Sequence, residues 1–213
     1  MNVVLLGKGD LAIRIGDWFL KNAHLGYTLK CVVPVTPEPT WTGSLSMWAE
    51  EEGIPVVWTG HYNSIVDGPI DIGISVFYDK IIKPSFINKC RRLLNIHNSP
   101  LPLYRGVSPI NWALKDERTE HGVTLHEITP GIDDGPIISQ LKYSIYPDVE
   151  EVEDVYQRAI NYGFTLFEQT MPILDKISPR EQDESEVIYH PSSEDHLLGD
   201  RRYFNRKVQE GSR

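Results

Sequence analysis

Residues 2–7, NVVLLG, form an unbroken apolar run ending on glycine, and the chain continues at once with GKGDLAIRIGDWF (7–19). A run without polar alternation is what a strand covered on both faces carries. Leu11, Ile13, Ile15, Trp18 and Phe19 then change the period to that of a helix. Strand, glycine turn and helix in that order open a parallel α/β sheet. GKGDLA (7–12) fits G-x-G-x-x-A, and two readings are weighed. One is a dinucleotide-binding turn of an NAD(P)-dependent oxidoreductase, where small residues admit a pyrophosphate. It needs an acid at the end of the second strand, and Pro34 and Val35 stand there instead. The other is a tight strand-to-helix turn, which the missing acid favours.

The pattern repeats outward. YTLKCVVPV (27–35), IPVVW (54–58), DIGISVF (71–77) and RLLNIH (92–97) read as further strands. SLSMWAEEEG (44–53), KPSFINKC (83–90) and SPINWALKDE (108–117) read as the helical pieces between and after them. HGVTLHEI (121–128) and GPIISQLKYSI (135–145) then follow as two strands joined by TPGIDDG, which predicts a mixed edge. A long helix is expected from about residue 149, with Asp148 and Glu151 as its capping box. The expected fold is α/β: a doubly wound, Rossmann-like, mostly parallel sheet with a mixed edge, a long C-terminal helix and a short C-terminal extension. The expected division is a domain over 1–176 and a linker with a strand and turns over 177–213, since ISPREQDESE (177–186) is polar and breaks the helical pattern.

The chain has 213 residues, 40% hydrophobic and 24% charged, with a net charge of -9. That charge argues against a surface built for nucleic-acid phosphates. No apolar run is long enough to span a membrane, and MNVVLLGKGD is too short and wrongly flanked for a signal peptide. Cys31 and Cys90 lack paired metal spacing and read as buried thiols, and no metal is expected. Together these predict a cytoplasmic protein without a nucleic-acid or membrane partner.

NIHNSPLPLYRG (95–106) holds the candidate site. Asn95 and His97 are two apart at the end of a strand, so both side chains share a face. In parallel sheets ligands gather beyond the carboxyl ends of strands. Asp133 and Asp134 lie in a Gly-flanked loop suited to the same crevice. An amide that donates to an oxyanion, an imidazole that moves a proton and a carboxylate that orients it suit acyl transfer. No Ser or Cys stands in an activating motif, so the attacking group belongs to the substrate. The competing reading of each residue alone is a strand-end histidine and turn-forming aspartates. In the tail LLGDRRYFNRK, Arg201, Arg202, Arg206 and Lys207 suit a phosphate and Tyr203 or Phe204 a base, against a solvated terminus. His24, His61, His121 and His190 have no partner spacing, and packing accounts for His126.

The stretch NIHNSPLPLYRGVSPINWAL, followed by HGVTLHEITPGIDDGPII, resembles the active-site core of enzymes that transfer formyl from N10-formyltetrahydrofolate to an amine. Asn-x-His, Ser-x-Leu-Pro, Arg-Gly and an Asp in a G-[LI]-D-x-G turn all stand in order, and the likeness spans about residues 1–175. It implies Asn95, His97 and Asp133 as the catalytic trio, Asp133 being the aspartate followed by x-Gly. It implies folate at Phe77, Tyr78, Asp79, Lys80 and Ile81 and at Thr129, Pro130, Gly131 and Ile132. The acceptor is expected along Ser99, Pro100, Leu101, Tyr104, Arg105 and Gly106. GKGD differs from the Gly-Ser-Asn turn by which glycinamide ribonucleotide formyltransferases hold phosphate. Methionyl-tRNA formyltransferases carry a further domain and usually a basic surface, for which this chain has neither room nor charge. FYDKII, PLYRG and PINWAL are most similar to the formyltransferases acting on UDP-4-amino-4-deoxy-L-arabinose, although Val107 stands where those have Arg. The resemblance therefore implies an N-formyltransferase using N10-formyltetrahydrofolate and a UDP- or dTDP-linked amino sugar. Its oligomeric state is left open, a homodimer included.

Overall fold

The computed structural model describes residues 1–66 and 68–205. Arg206 and Lys207 of the basic tail lie outside them. In chain order the elements are β1 (Asn2–Gly7), α1 (Gly9–Lys21), β2 (Thr28–Pro34), α2 (Leu45–Glu51), β3 (Ile70–Val76), α3 (Pro84–Ile87) and β4 (Cys90–His97). They continue with β5 (Arg105–Gly106), α4 (Pro109–Lys115), β6 (Glu120–Glu127), β7 (Ile137–Ser144), α5 (Val152–Thr170) and β8 (Tyr189–His190), with short 3₁₀ turns between. The fold is α/β, with a mostly parallel six-stranded sheet in the order β2-β1-β3-β4-β6-β7 and an antiparallel edge. Two compact units are present, residues 1–96 with 126–131, and 97–125 with the described residues from Ile132 on.

In the first unit β1 runs parallel to β2 on one side and β3 on the other, from Val3 beside Ile72 to Gly7 beside Val76. Val3, Val4, Leu5 and Leu6 are buried, which is why the run carries no polar alternation. α1 buries Leu11, Ala12, Ile15, Trp18 and Phe19. The glycines of GKGDLA are occupied by the chain's own atoms. A Cβ on Gly7 would lie 2.0 Å from the Val76 carbonyl oxygen, and one on Gly9 would lie 2.7 Å from Thr42 Oγ1. Asp10 N–H donates to that Thr42 oxygen (3.2 Å), and Gly43 N–H donates to the Asp10 carboxylate (3.0 Å). The turn packs the chain against itself, the second of the two sequence readings. Because the Val76 contact is backbone on a buried strand, Gly7→Ala is expected to lower stability by about 3 kcal/mol, read as a shifted urea midpoint at unchanged m-value.

IPVVW is a correction. It makes only an isolated bridge, Val56 beside Val32. Val32 N–H donates to the Pro55 carbonyl and Val57 N–H to the Val32 carbonyl, both at 2.9 Å. Pro55 has no N–H to extend the ladder, so the edge stops there.

In the second unit β7 follows β6 at the sheet edge and α5 packs along it, burying Val152, Val155, Ala159, Ile160, Leu166 and Phe167. The capping box is displaced three residues from the expected pair: Glu151 is the N-cap, and its N–H donates to Asp154 (2.8 Å). Asp148 lies instead in a turn in which Val149 and Glu150 N–H donate to the Tyr146 carbonyl (3.1 and 2.8 Å), so the helix begins after it. The polar stretch after α5 is tightly bound. Arg180 exchanges backbone hydrogen bonds with Ile137 (2.7 and 2.8 Å), and β8 pairs in parallel with β5. The tail arginine Arg201 donates to the carbonyls of Glu150 (3.1 Å) and Pro147, and Phe204 packs edge-on to Tyr156. Among the described residues no helix is long and apolar enough to cross a membrane, and no cluster of His, Cys, Asp and Glu suits a metal.

Candidate active site

β4 ends with the sequence N-I-H and is parallel to β3, with Asn95 beside Ser75. Alternation along the strand buries Ile96 within the sheet and sends Asn95 and His97 to the other face. In the first unit Asn95 Nδ2 lies 3.1 Å from His126 Nε2. His126 Nδ1 is 2.9 Å from the Glu127 carbonyl, which only accepts, so Nδ1 carries the proton and Nε2 is the acceptor. Asn95 therefore donates to His126, and the amide's orientation follows from a histidine that sequence reading assigned to packing. A polar residue on a strand-end face was the only signal, and it does not say which side chain it meets.

In the second unit His97 Nε2 is 2.8 Å from the Tyr104 carbonyl, which makes Nε2 the donor. Tyr104 aims that carbonyl from a left-handed backbone (φ 59°), its hydroxyl donating to Asp116 (2.9 Å) and accepting from Arg118 (2.9 Å). The other ring nitrogen, Nδ1, faces Asp133 Oδ2 at 3.6 Å. Nδ1 is therefore the ring nitrogen aimed at a carboxylate. Asp133 Oδ2 accepts from Gly106 N–H (2.9 Å) and Asp133 itself is left-handed (φ 51°), a conformation aspartate tolerates. Gly106 has its own constraint: at φ 95° its Cβ would sit 2.2 Å from the His190 carbonyl oxygen of β8.

The loop between His97 and Gly106 is bonded from within. Ser99 Oγ donates to the Leu103 carbonyl (2.6 Å), Leu101 N–H to Thr124 Oγ1 (3.2 Å), and Gln140 Nε2 to the Leu101 carbonyl (2.8 Å). Ser99, Pro100, Leu101 and Tyr104 are buried. Arg105 is buried too, its Nε donating to Gln182 (3.0 Å) and its terminal nitrogens to Glu184 (2.7 and 3.3 Å). Behind the loop His121, fully buried, donates Nε2–H to the Asn98 carbonyl (2.7 Å).

The other expected residues divide by unit. Phe77 is left-handed at the end of β3, and Tyr78 Oη donates to the Gly60 carbonyl (2.8 Å), its hydroxyl pushed up to about 12 by burial. Asp79 and Lys80 pair (3.2 Å), and Ile81 is 72% exposed. Thr129 is half-buried, Pro130 and Gly131 are exposed, and Ile132, in the second unit, is also exposed.

The formyl transferase family model matches residues 64–170 of this chain, half its length, with Asn95, His97 and Asp133 inside the match. The chain belongs to the formyl transferase family. This formyltransferase also resembles solved structures along most of its length. WlaRD, a sugar 3N-formyl transferase solved with dTDP and 5-N-formyl-THF, is 27% identical at a TM-score of 0.78, over 91% of this chain and 70% of WlaRD. An N-formyltransferase from Helicobacter canadensis, solved with folinic acid and dTDP-3-aminofucose, is 26% identical at 0.79, over 90% and 71%. Methionyl-tRNA formyltransferase from Clostridium thermocellum, 15% identical at 0.62 over 92% and 74%, shares the fold.

Proposed function

We propose that this formyltransferase moves the formyl group of N10-formyltetrahydrofolate onto the amine of a dTDP- or UDP-linked amino sugar, with Asn95, His97 and Asp133 as its catalytic residues. The observation carrying this is the pairing of His97 Nδ1 with Asp133 while Nε2 is anchored on Tyr104, on the strand that presents Asn95 two residues earlier. The likeness to WlaRD and to the Helicobacter canadensis enzyme supports the sugar acceptor. The net charge of -9 weighs against tRNA.

The chemistry is direct transfer. Burial pushes the Cys31 and Cys90 thiols up to about 11, so neither is a thiolate nucleophile at neutral pH, and the Ser99 hydroxyl is engaged. The acceptor's neutral amine adds to the formyl carbon, and the carbonyl electrons move to oxygen. Asn95 Nδ2 and a protonated His97 Nδ1 donate to that oxyanion, with Asp133 compensating the imidazolium charge. Collapse breaks the bond to the folate nitrogen, which takes the proton that the amine gives up. The exposed Ile81, in the loop after β3, offers apolar surface for the face of the donor's flat ring. We read residues 99–106 as the acceptor-side wall. We read residues 1–176 as the formyltransferase domain and 177–213 as its extension. The cytoplasmic reading is supported by two free thiols.

With N10-formyltetrahydrofolate, dTDP- and UDP-linked 3-amino and 4-amino sugars are expected to release tetrahydrofolate, while the matching hydroxy sugars release none. Turnover of methionyl-tRNA and of no amino sugar overturns the reading.

A further inference from the structure

We propose that Gln182 is a positioning residue for formyl transfer, holding the backbone of the Asp133 turn while Arg105 aims its amide. Gln182 lies in the polar stretch beyond the family match, and it is buried. Its orientation is unambiguous: a guanidinium only donates, so the side-chain oxygen faces Arg105 Nε (3.0 Å) and Nε2 faces the other way. There Nε2 donates to two carbonyls, those of Asp133 and Gly135, each at 2.8 Å. Both amide hydrogens and the amide oxygen are thereby satisfied in a buried place, where an unmade bond is costly.

These contacts close a ring. The Asp133 carboxylate accepts from Gly106 N–H, the Asp133 carbonyl accepts from Gln182, Gln182 accepts from Arg105, and Arg105 is joined to Gly106 by the chain. Asp133 is thus held at both its side chain and its backbone, and both anchors converge on one dipeptide. The ring explains how a non-glycine residue keeps a left-handed backbone at the catalytic turn, since such a conformation persists where its surroundings over-determine it. It also explains why Arg105 is buried. The strap is fastened on either side, by Arg180 on Ile137 and by Arg105 N–H on the Ile188 carbonyl (2.8 Å). Gln182 touches neither reacting atom. Its effect passes through the placement of the Asp133 carboxylate against His97.

This inference rests on the role proposed for Asp133, and two variants test it. Gln182→Met keeps length and packing but removes both donors. Gln182→Glu also removes them while offering Arg105 a stronger partner, so a strap that merely tethers the segment survives it. Both are expected to lower kcat about 10²-fold, because misplacing a catalytic group by about 1 Å has that cost. KM for donor and acceptor should stay within about threefold. Without any substrate, amide hydrogen exchange at Gly106 should speed about tenfold in both variants, since its acceptor becomes mobile. If Gln182→Glu keeps wild-type kcat, or if Gly106 exchange is unchanged in both variants, the inference is overturned. Failure of the sugar reading looks different: the wild-type protein itself would release no tetrahydrofolate, while the exchange comparison would still decide the role of Gln182.

Discussion

Alanine in place of His97 is expected to lower kcat about 10²–10³-fold and to leave KM for donor and acceptor nearly unchanged, the cost of one oxyanion donor. The reason lies in the division of labour between the two ring nitrogens. Nε2–H is held by the Tyr104 carbonyl at 2.8 Å, which sets the orientation of the ring. Nδ1 is left facing Asp133 at 3.6 Å. In the proposed mechanism Nδ1, on the Asp133 side of the ring, donates to an oxygen whose charge grows only during reaction. An interaction made only then changes kcat and not substrate binding. Asn95→Ala is expected to show the same split, because Asn95 donates from an amide fixed by His126. Steady-state kinetics with the amino sugar that turns over checks both. If kcat stays within about threefold of wild type in either variant, that residue is not an oxyanion donor.

The second large effect is an acid lability seated in one side chain. Burial, the largest cause, pushes His121 down to about 4 from its ordinary 6.5; the Asn98 carbonyl opposes this and the charge of His97 adds to it. The unfolded chain takes a proton near pH 6.5 that the folded chain refuses until about pH 4. Between those values the unfolded state binds more protons, so unfolding free energy falls as pH falls, and the loss levels off once the folded form is protonated too. At about 1.4 kcal/mol per pH unit, the window amounts to about 3 kcal/mol, fully present as stability above pH 6.5. His121→Gln keeps a donor for the Asn98 carbonyl and removes the titration. Urea unfolding from pH 7 to pH 4 should show a flatter profile for the variant by about that amount. Equal slopes for the two proteins would mean that His121 does not carry the acid sensitivity.

The candidate residues could be picked out of the sequence because their signals are local. Asn95 and His97 share a strand face through a period of two, and Asp133 sits in a turn whose glycines announce it. His126 was not legible, since it meets Asn95 from a strand 31 residues away. Gln182 was still less so, bonding Asp133 across 49 residues from a stretch that reads as a linker. Its polarity suggested solvent, whereas the polar atoms are matched by buried carbonyls and a guanidinium. The α5 cap shifted for a local reason: Asp148 sits in a turn closed on the Tyr146 carbonyl, so the helix starts later and Glu151 is the cap.

By itself, then, the sequence determined the parallel α/β architecture and the strand-to-helix turn at Gly7, and it proposed Asn95, His97 and Asp133 as the site. Hydrophobic period, glycine and proline act over a few residues and are written directly in the chain. Only the tertiary structure decided which nitrogen of His97 is held and which faces the carboxylate. It alone decided that Arg105 braces the Asp133 turn through Gln182. Hydrogen-bond direction depends on which donor finally meets which acceptor, and that is set when distant segments are packed together.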